Sequence, residues 1–253
     1  METNITPHEL GSPKTGPRFA RGMYPSTPPP NRKAACIGRI LNDRIGSTPV
    51  PRTLVVGCGS GTEAAVLAWT LGSKVTGIDN HPQFDMSATA WADLRWGDAT
   101  ALEFHDQSFD LVYSYHALEH IPQWKRALLE MKRVLKPNGW CCIGTPNRLR
   151  AIGYLGAENT SVREKILWNY DDWRLRLRGR FRNEFGAHAG FSETELSDML
   201  SDVFASITNI TWDYYRQLYP KLGWILTMLW ASRSYSVAVP AIYFLCRSSR
   251  DPN

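Results

Sequence analysis

Three features of the sequence predict a doubly wound α/β fold around a mostly parallel sheet. Short apolar runs alternate with stretches of helical periodicity from residue 34 to residue 146. The first three runs stop at a glycine or at an aspartate. The first is followed at once by a glycine-rich turn that opens a helix. Strands that alternate with helices pair in parallel through right-handed crossovers, and such sheets bind ligands at the carboxyl ends of their strands.

The elements follow in order. Ala34, Ala35, Ile37, Ile40, Leu41 and Ile45 recur at helical spacing, and Gly46 stops them. Residues 53–56 form a first strand, 62–71 a helix, and 74–78 a second strand ending at Asp79. A short third strand, 94–96, ends before Asp98, and 109–114 is the fourth. An amphipathic helix over 123–135, a turn at Pro137-Asn138-Gly139 and a fifth strand over 140–144 complete the regular part.

Residues 147–190 break the rhythm and read as a cap insertion. Within them, 173–182 alternate strictly, with arginine at 174, 176, 178, 180 and 182. A period of two puts all five on one face of a strand, which suits a solvated edge or an anionic ligand. Ser192 and Glu195 form a capping box before a helix. Residues 204–212 and 241–246 read as strands. Residues 219–230, YPKLGWILTMLW, read as a buried helix between those two strands, with an interfacial helix as the alternative. Residues 1–32 hold a run of prolines and form a flexible arm or lid, which leaves 33–253 as one domain.

Composition narrows the class. A hydrophobic fraction of 43% with 21% charged residues excludes a disordered chain, a collagen and a coiled coil. Five cysteines without a CxxC pair argue against a disulfide framework or a zinc site. No basic-then-apolar leader opens the sequence, so a reducing cytoplasm is the simplest setting. Arg233 interrupts the most apolar stretch, so no transmembrane segment is expected, while peripheral membrane contact stays open. A net charge of +5 permits an anionic ligand without demanding nucleic acid.

The informative segment is LVVGCGSGTEAA, residues 54–65. Gly57, Gly59 and Gly61 allow positive φ and close approach of a ligand to the backbone. A dinucleotide fingerprint would place its third glycine at Thr62, and no Lys-Ser/Thr follows as in a nucleotide-phosphate loop. This disfavours a nicotinamide oxidoreductase. A carboxylate at Asp79 can accept from both ribose hydroxyls, and one at Asp98 from an adenine amine. Together these residues describe an adenosine pocket.

That arrangement resembles motif I and its acidic partners in the class I S-adenosylmethionine (SAM)-dependent methyltransferases. FDLVYSYHALEHI (109–121) and RVLKPNGW (133–140) are similar to that family's fourth strand and its turn into the fifth. HAGFSETELSDML (188–200) is similar to the segment after its cap. The likeness is strongest to the ubiquinone-biosynthesis-like branch acting on small molecules. It implies a seven-stranded Rossmann-like sheet, with an antiparallel sixth and seventh strand. It also implies SAM as cofactor, held by Val56, Gly57, Cys58, Gly59, Gly61, Asp79, Asn80, Asp98, Ala99, Ser114 and Tyr115. One departure is Val55, where the family often has an acid, and Glu63 is the nearby substitute. Tyr24 is a further candidate for the cofactor's methionine end or the pocket wall.

A hydroxyl acceptor gains from a base that takes its proton. Among the six histidines, His120 follows the fourth strand and is the first candidate, and His188 at the end of the cap is the second. His116–His120 spells HxxEH, but a strand lies just before it and Pro122 just after, so a zinc-binding helix is not expected. The motifs of amine, cytosine and protein-arginine methylation are missing after the fourth strand. The expected activity is therefore O-methylation of a small molecule, by a histidine base or by proximity. The alternatives are C- or N-methylation of a lipophilic, quinone-like compound and a non-catalytic SAM-binding partner subunit.

Overall fold

Strands form where the chain runs apolar, and their register sets the functional edge. The computed structural model describes residues 27–249 apart from 47, 82, 155–159 and 233, so Tyr24 and most of the arm lie outside the described residues. Seven strands form one sheet in the order β3-β2-β1-β4-β5-β7-β6. They are β1 (Arg52–Val56), β2 (Lys74–Asp79), β3 (Asp93–Trp96), β4 (Phe109–Tyr115), β5 (Leu135–Pro146), β6 (Ser206–Asn209) and β7 (Ala241–Arg247). β1 pairs in parallel with both β2 and β4, and β4 with β5. β7 runs antiparallel to β5 and β6.

The strand order reverses between β1 and β4, where a doubly wound sheet opens its crevice. Pairing of Val56 with Ile78 and with Ser114 brings the ends of β2, β1 and β4 level. The central strands are buried on both faces, with Leu54, Leu111, Val112, Cys141 and Ile143 at 0% exposure. Helices α1 (Arg32–Ile45), α2 (Thr62–Leu71), α3 (Met86–Thr89), α4 (Trp124–Val134), α5 (Val162–Leu177), α6 (Glu193–Ser201), α7 (Thr211–Leu218), α8 (Gly223–Ala231) and α9 (Tyr235–Ala238) complete the domain. Asn31 caps α1 by accepting from the amide of Ala34, and Gly46 ends it at φ 70°. Close crossing of α1 over α2 depends on Gly38, where a Cβ would stand 2.7 Å from Thr70 Cγ2.

Four expectations need correction. The alternating arginines do not lie on a strand, because α5 runs through Leu177. Ser161 and Glu164 cap that helix reciprocally, and Leu and Arg are good helix formers. The guanidinium groups therefore spread around the helix and the turn after it. Arg174 and Arg178 face solvent, while Arg176 donates to the carbonyls of Arg148 and Arg150. Second, α8 is not buried between strands: none of its residues is buried, and Trp224 is 67% exposed. Third, the sixth strand covers only Ser206–Asn209, because the Asn209 side chain accepts from the amide of Thr211 and starts α7. Fourth, Pro137–Gly139 falls inside β5, where Asn138 takes φ 56° and the register with β4 shifts.

Candidate active site

The glycine loop is built by backbone hydrogen bonds from β1 to β2. The amides of Gly57 and Cys58 both donate to the carbonyl of Ile78, at 2.9 and 3.0 Å. Gly57 takes φ 74°, and a Cβ there would lie 2.3 Å from the Cβ of Ala117. The loop after β1 thus rests directly on the turn after β4. Asp79 ties the same loop down: its Oδ2 accepts from the amide of Gly59 and its Oδ1 from that of His81, both at 2.8 Å. Each oxygen keeps a lone pair for a further donor. Asp98 uses Oδ1 to accept from the amide and hydroxyl of Thr100, and these bonds hold its carboxyl below the usual carboxylate range.

These groups line a cleft of about 680 Å³, within the size range of small-molecule sites. Val56, Gly57, Gly59, Asp79, Asn80, Asp98 and Ala99 all face it, together with Trp96, His116 and His120. A Cβ at Gly59 would meet nothing within 4 Å, so the loop borders open space. The donor set suits SAM: two carboxylates with free lone pairs and a bare glycine backbone.

Other predicted residues sit elsewhere. Cys58 is buried, with its sulfur against Gly77, and desolvation pushes the thiol up to about 12. Gly61 forms the left-handed cap of α2, packed under Leu94. Glu63 accepts from the Tyr113 hydroxyl at 3.3 Å. Ser114 is buried with its hydroxyl unpartnered.

Tyr115 faces a second cavity of about 350 Å³, shared with Tyr154, Tyr214, Tyr215, Tyr219, Tyr243, Lys33, Arg150 and His188. His116 lines both cavities and marks their junction. The Tyr115 and Tyr243 rings stack at 5.4 Å, and a Cβ at Gly144 would come within 2.7 Å of Tyr243 and 2.8 Å of Tyr115. Burial raises the phenols of Tyr115, Tyr214, Tyr215 and Tyr243, so they stay neutral hydrogen-bonding groups. Arg150, 3% exposed, pairs with Asp172 at 2.8 Å and donates to the carbonyls of Asn147, His188 and Ala189. This buried knot positions His188.

The turn after β4 carries the remaining chemistry. His116 adopts φ 52°, a costly conformation for a residue with a Cβ, and its amide donates to the carbonyl of Gly144. Its imidazole is exposed where it opens onto the two cavities, with protein atoms crowded behind it. Desolvation, followed by the charge of Lys33, lowers it to about 3. Glu119 is 6% exposed, and neither of its oxygens has a hydrogen-bond partner. Desolvation pushes its carboxyl up to about 7. His120 Nε2 stands 3.9 Å from that carboxyl, and the His120 ring meets that of His188 edge-on at 4.6 Å. Burial and then His188 lower the His120 imidazole. Glu119 raised and His120 lowered is the opposite of an ion pair, so both tend toward their neutral forms near pH 7. Ligand atoms of Glu119, His120 and His188 all lie within 4.8 Å of one another, the only such trio of metal-ligating side chains among the described residues.

Sequence reasoning singled out the cleft at the ends of β1, β2 and β4 and the two histidines. It missed Arg150, Lys33 and the tyrosines of α7, which come from distant segments with no local motif. Gly144 was legible only as part of a strand.

Comparison with known proteins gives three results. Residues 54–143 match the family model described as a methyltransferase domain. A demethylmenaquinone methyltransferase of Renibacterium salmoninarum is 36% identical over 111 residues, covering 40% of this chain and 44% of that protein. A 2-methyl-6-phytyl-1,4-hydroquinone methyltransferase of Synechocystis is 40% identical over 97 residues, covering 36% of this chain and 30% of that protein. The matches thus span less than half the length of these relatives. Among solved structures, phosphoethanolamine N-methyltransferase 2 of Haemonchus contortus in complex with S-adenosyl-L-methionine shares the fold, with a TM-score of 0.54 at 16% identity over 85% of this chain and 52% of that one.

Proposed function

We propose that the chain carries a class I SAM-dependent methyltransferase domain that transfers the cofactor's methyl group to a lipophilic small molecule with a phenolic hydroxyl. The observation that carries this reading is the pair of cavities meeting at His116: one bears the two strand-end acids, the other is walled by tyrosines. The names of the two relatives, both quinone or hydroquinone methyltransferases, support a ring-bearing apolar acceptor.

Asp79 would hold the ribose and Asp98 the adenine of SAM, with the Gly57–Gly59 backbone lying along the cofactor. SAM supplies an electrophilic methyl group. The protein's own tasks are to align the acceptor with it, exclude water and take up a proton. His120, neutral at pH 7, takes the phenolic proton, and His188 against it shapes the acceptor side. Residues 147–190 close the acceptor cavity through Arg150, Tyr154 and His188. Loss of a phenolic proton makes the acceptor nucleophilic at oxygen and at ring carbon. Carbon methylation is therefore the second reading.

The test is His120→Ala. Loss of a general base lowers the rate about 10²–10⁴-fold, while SAM affinity measured by calorimetry stays within a few-fold. Full activity in His120→Ala with loss in His188→Ala would move the base to the cap. Loss of SAM affinity that accounts for the lost rate would make His120 a cofactor-pocket residue. Absence of turnover with intact SAM binding, across hydroquinone and phenol acceptors, would favour a SAM-binding partner subunit.

A further inference from the structure

Exposed apolar side chains are concentrated in two segments of the chain. Of the eighteen large apolar or aromatic residues exposed among the described residues, fifteen lie in 149–185 and 222–237. Hydrogen bonds and ring stacks join these two segments into one band. Trp173 Nε1 on α5 donates to the carbonyl of Ala151 at 3.0 Å, and the amide of Ala151 donates to the carbonyl of Val237 at 2.7 Å. On α9, Tyr235 stacks on Trp230 of α8 at 4.4 Å. Tyr154 of the first segment lines the tyrosine-walled cavity, as do Tyr219 and Pro240, which flank the second. The band therefore rims the acceptor's entrance.

Its charge is one-sided. Residues 160–182 contain seven Lys and Arg against three Asp and Glu. Arg163, Arg174, Arg178 and Arg182 are exposed, and none has an ion-pair partner among the described residues. Trp168 and Trp173 on α5, and Trp224 and Trp230 on α8, are exposed in the same band. A protein partner would have to bury arginines interleaved with leucines in 174–178, and interface cores are depleted of charge. A headgroup layer instead meets cations with phosphates and lets indole rings sit at the water boundary. Among the described residues, no helix is long and apolar enough to cross a membrane.

We propose that this band docks the protein peripherally on an anionic phospholipid bilayer, placing the mouth of the acceptor cavity at the membrane surface. The idea extends the lipophilic-acceptor reading. Its binding readout depends on neither turnover nor acceptor, so the two can fail separately.

The full chain would be floated with phosphatidylcholine vesicles containing 0% or about 30% phosphatidylglycerol, a strongly anionic surface. Binding should need the anionic lipid and weaken steeply as NaCl rises. At about 1 kcal/mol per basic residue near the surface, Arg174→Gln/Arg178→Gln should cost roughly thirtyfold in vesicle affinity. Trp224→Ser/Met228→Ser should cost at least about tenfold by removing the inserted apolar groups. Both variants should keep the wild-type melting temperature and SAM affinity. Equal binding by wild type and both variants, or no binding to the anionic vesicles at low salt, would overturn the proposal. So would a lipid-free dimer that Trp224→Ser/Met228→Ser converts to a monomer, because the band would then belong to a second copy.

Discussion

Glu119→Gln isolates one buried carboxyl and reads its titration as stability. In the wild type this group is raised from an ordinary 4.5 to about 7 by desolvation, with no hydrogen-bond partner for either oxygen. The folded state therefore holds its proton more tightly than the unfolded chain does. Stability is fully present below pH 4.5 and falls as pH rises toward 7, above which the loss is complete. A shift of this size corresponds to about 3 kcal/mol. Glutamine has the same shape and no proton to lose. The variant's stability relative to wild type should therefore grow by about 3 kcal/mol between pH 4.5 and 7.5. For a chain of this size that is a relative gain of about 6–12 °C in melting temperature at the upper pH. Chemical denaturation of both proteins at half-unit pH steps measures the difference directly. A constant offset across the range would refute the desolvated carboxyl. A variant that becomes less stable than wild type at high pH would show that the Glu119 carboxylate has a cationic partner, either protonated His120 or a metal ion.

Further predictions concern the loop and the trio. Asp79→Ala removes acceptors of the Gly59 and His81 amides as well as the proposed ribose contacts, so SAM affinity should drop about tenfold to hundredfold. Unchanged calorimetric affinity in a folded variant would reject that assignment. Gly57→Ala forces a Cβ to positive φ and against Ala117, and should cost about 2–4 kcal/mol in urea unfolding. Adding Ala117→Gly should recover the steric part only, and full recovery would mean that the φ constraint is absent. If His120 acts as a base, chelator dialysis should leave turnover intact and added zinc should inhibit by occupying the His120 and His188 imidazoles; inactivation by chelator would replace the base with a metal site. Because burial lowers His120, the rise of activity with pH should lie below the ordinary 6.5 of histidine, and a midpoint above 6.5 would contradict the structure.

The cofactor half was legible because its signals are local. Gly57, Gly59, Asp79 and Asp98 each end or follow a strand, and strand-end position is readable from a run of apolar residues. The helix that replaced the expected arginine strand shows the limit of that logic. Alternation over 173–182 satisfied a period of two, but the capping box at Ser161 lies twelve residues upstream of Trp173, and the carbonyls that Arg176 binds belong to residues 148 and 150. Neither signal is visible inside the alternating window. The same holds for the acceptor cavity: Lys33, Tyr154, Tyr214 and Tyr243 are brought together by α1, the cap, α7 and β7, and no spacing in sequence marks them as neighbours.

The turn after β4 shows why the two halves meet where they do. Gly57 must be a glycine because Ala117 presses on it, and Gly144 must be one because Tyr115 and Tyr243 close over it. Between these two contacts the chain has no room to turn gradually, and His116 takes up the bend at φ 52°. That bend places the His116 ring at the boundary of both cavities. It also sends Glu119 inward without a partner, while His120 stays at the cleft wall. Relaxing the bend should therefore disturb both cavities together. His116→Gly, which removes the strain and the ring at once, should stabilise the backbone by about 1 kcal/mol while loosening the separation of cofactor and acceptor. His116→Asn tolerates the left-handed conformation and keeps a polar side chain at the junction. Turnover that survives in His116→Asn but falls in His116→Gly, with both proteins folded, would assign the role to a side chain at the junction. Equal loss in both would assign it to the imidazole, and equal retention would leave His116 as a hinge of the fold alone.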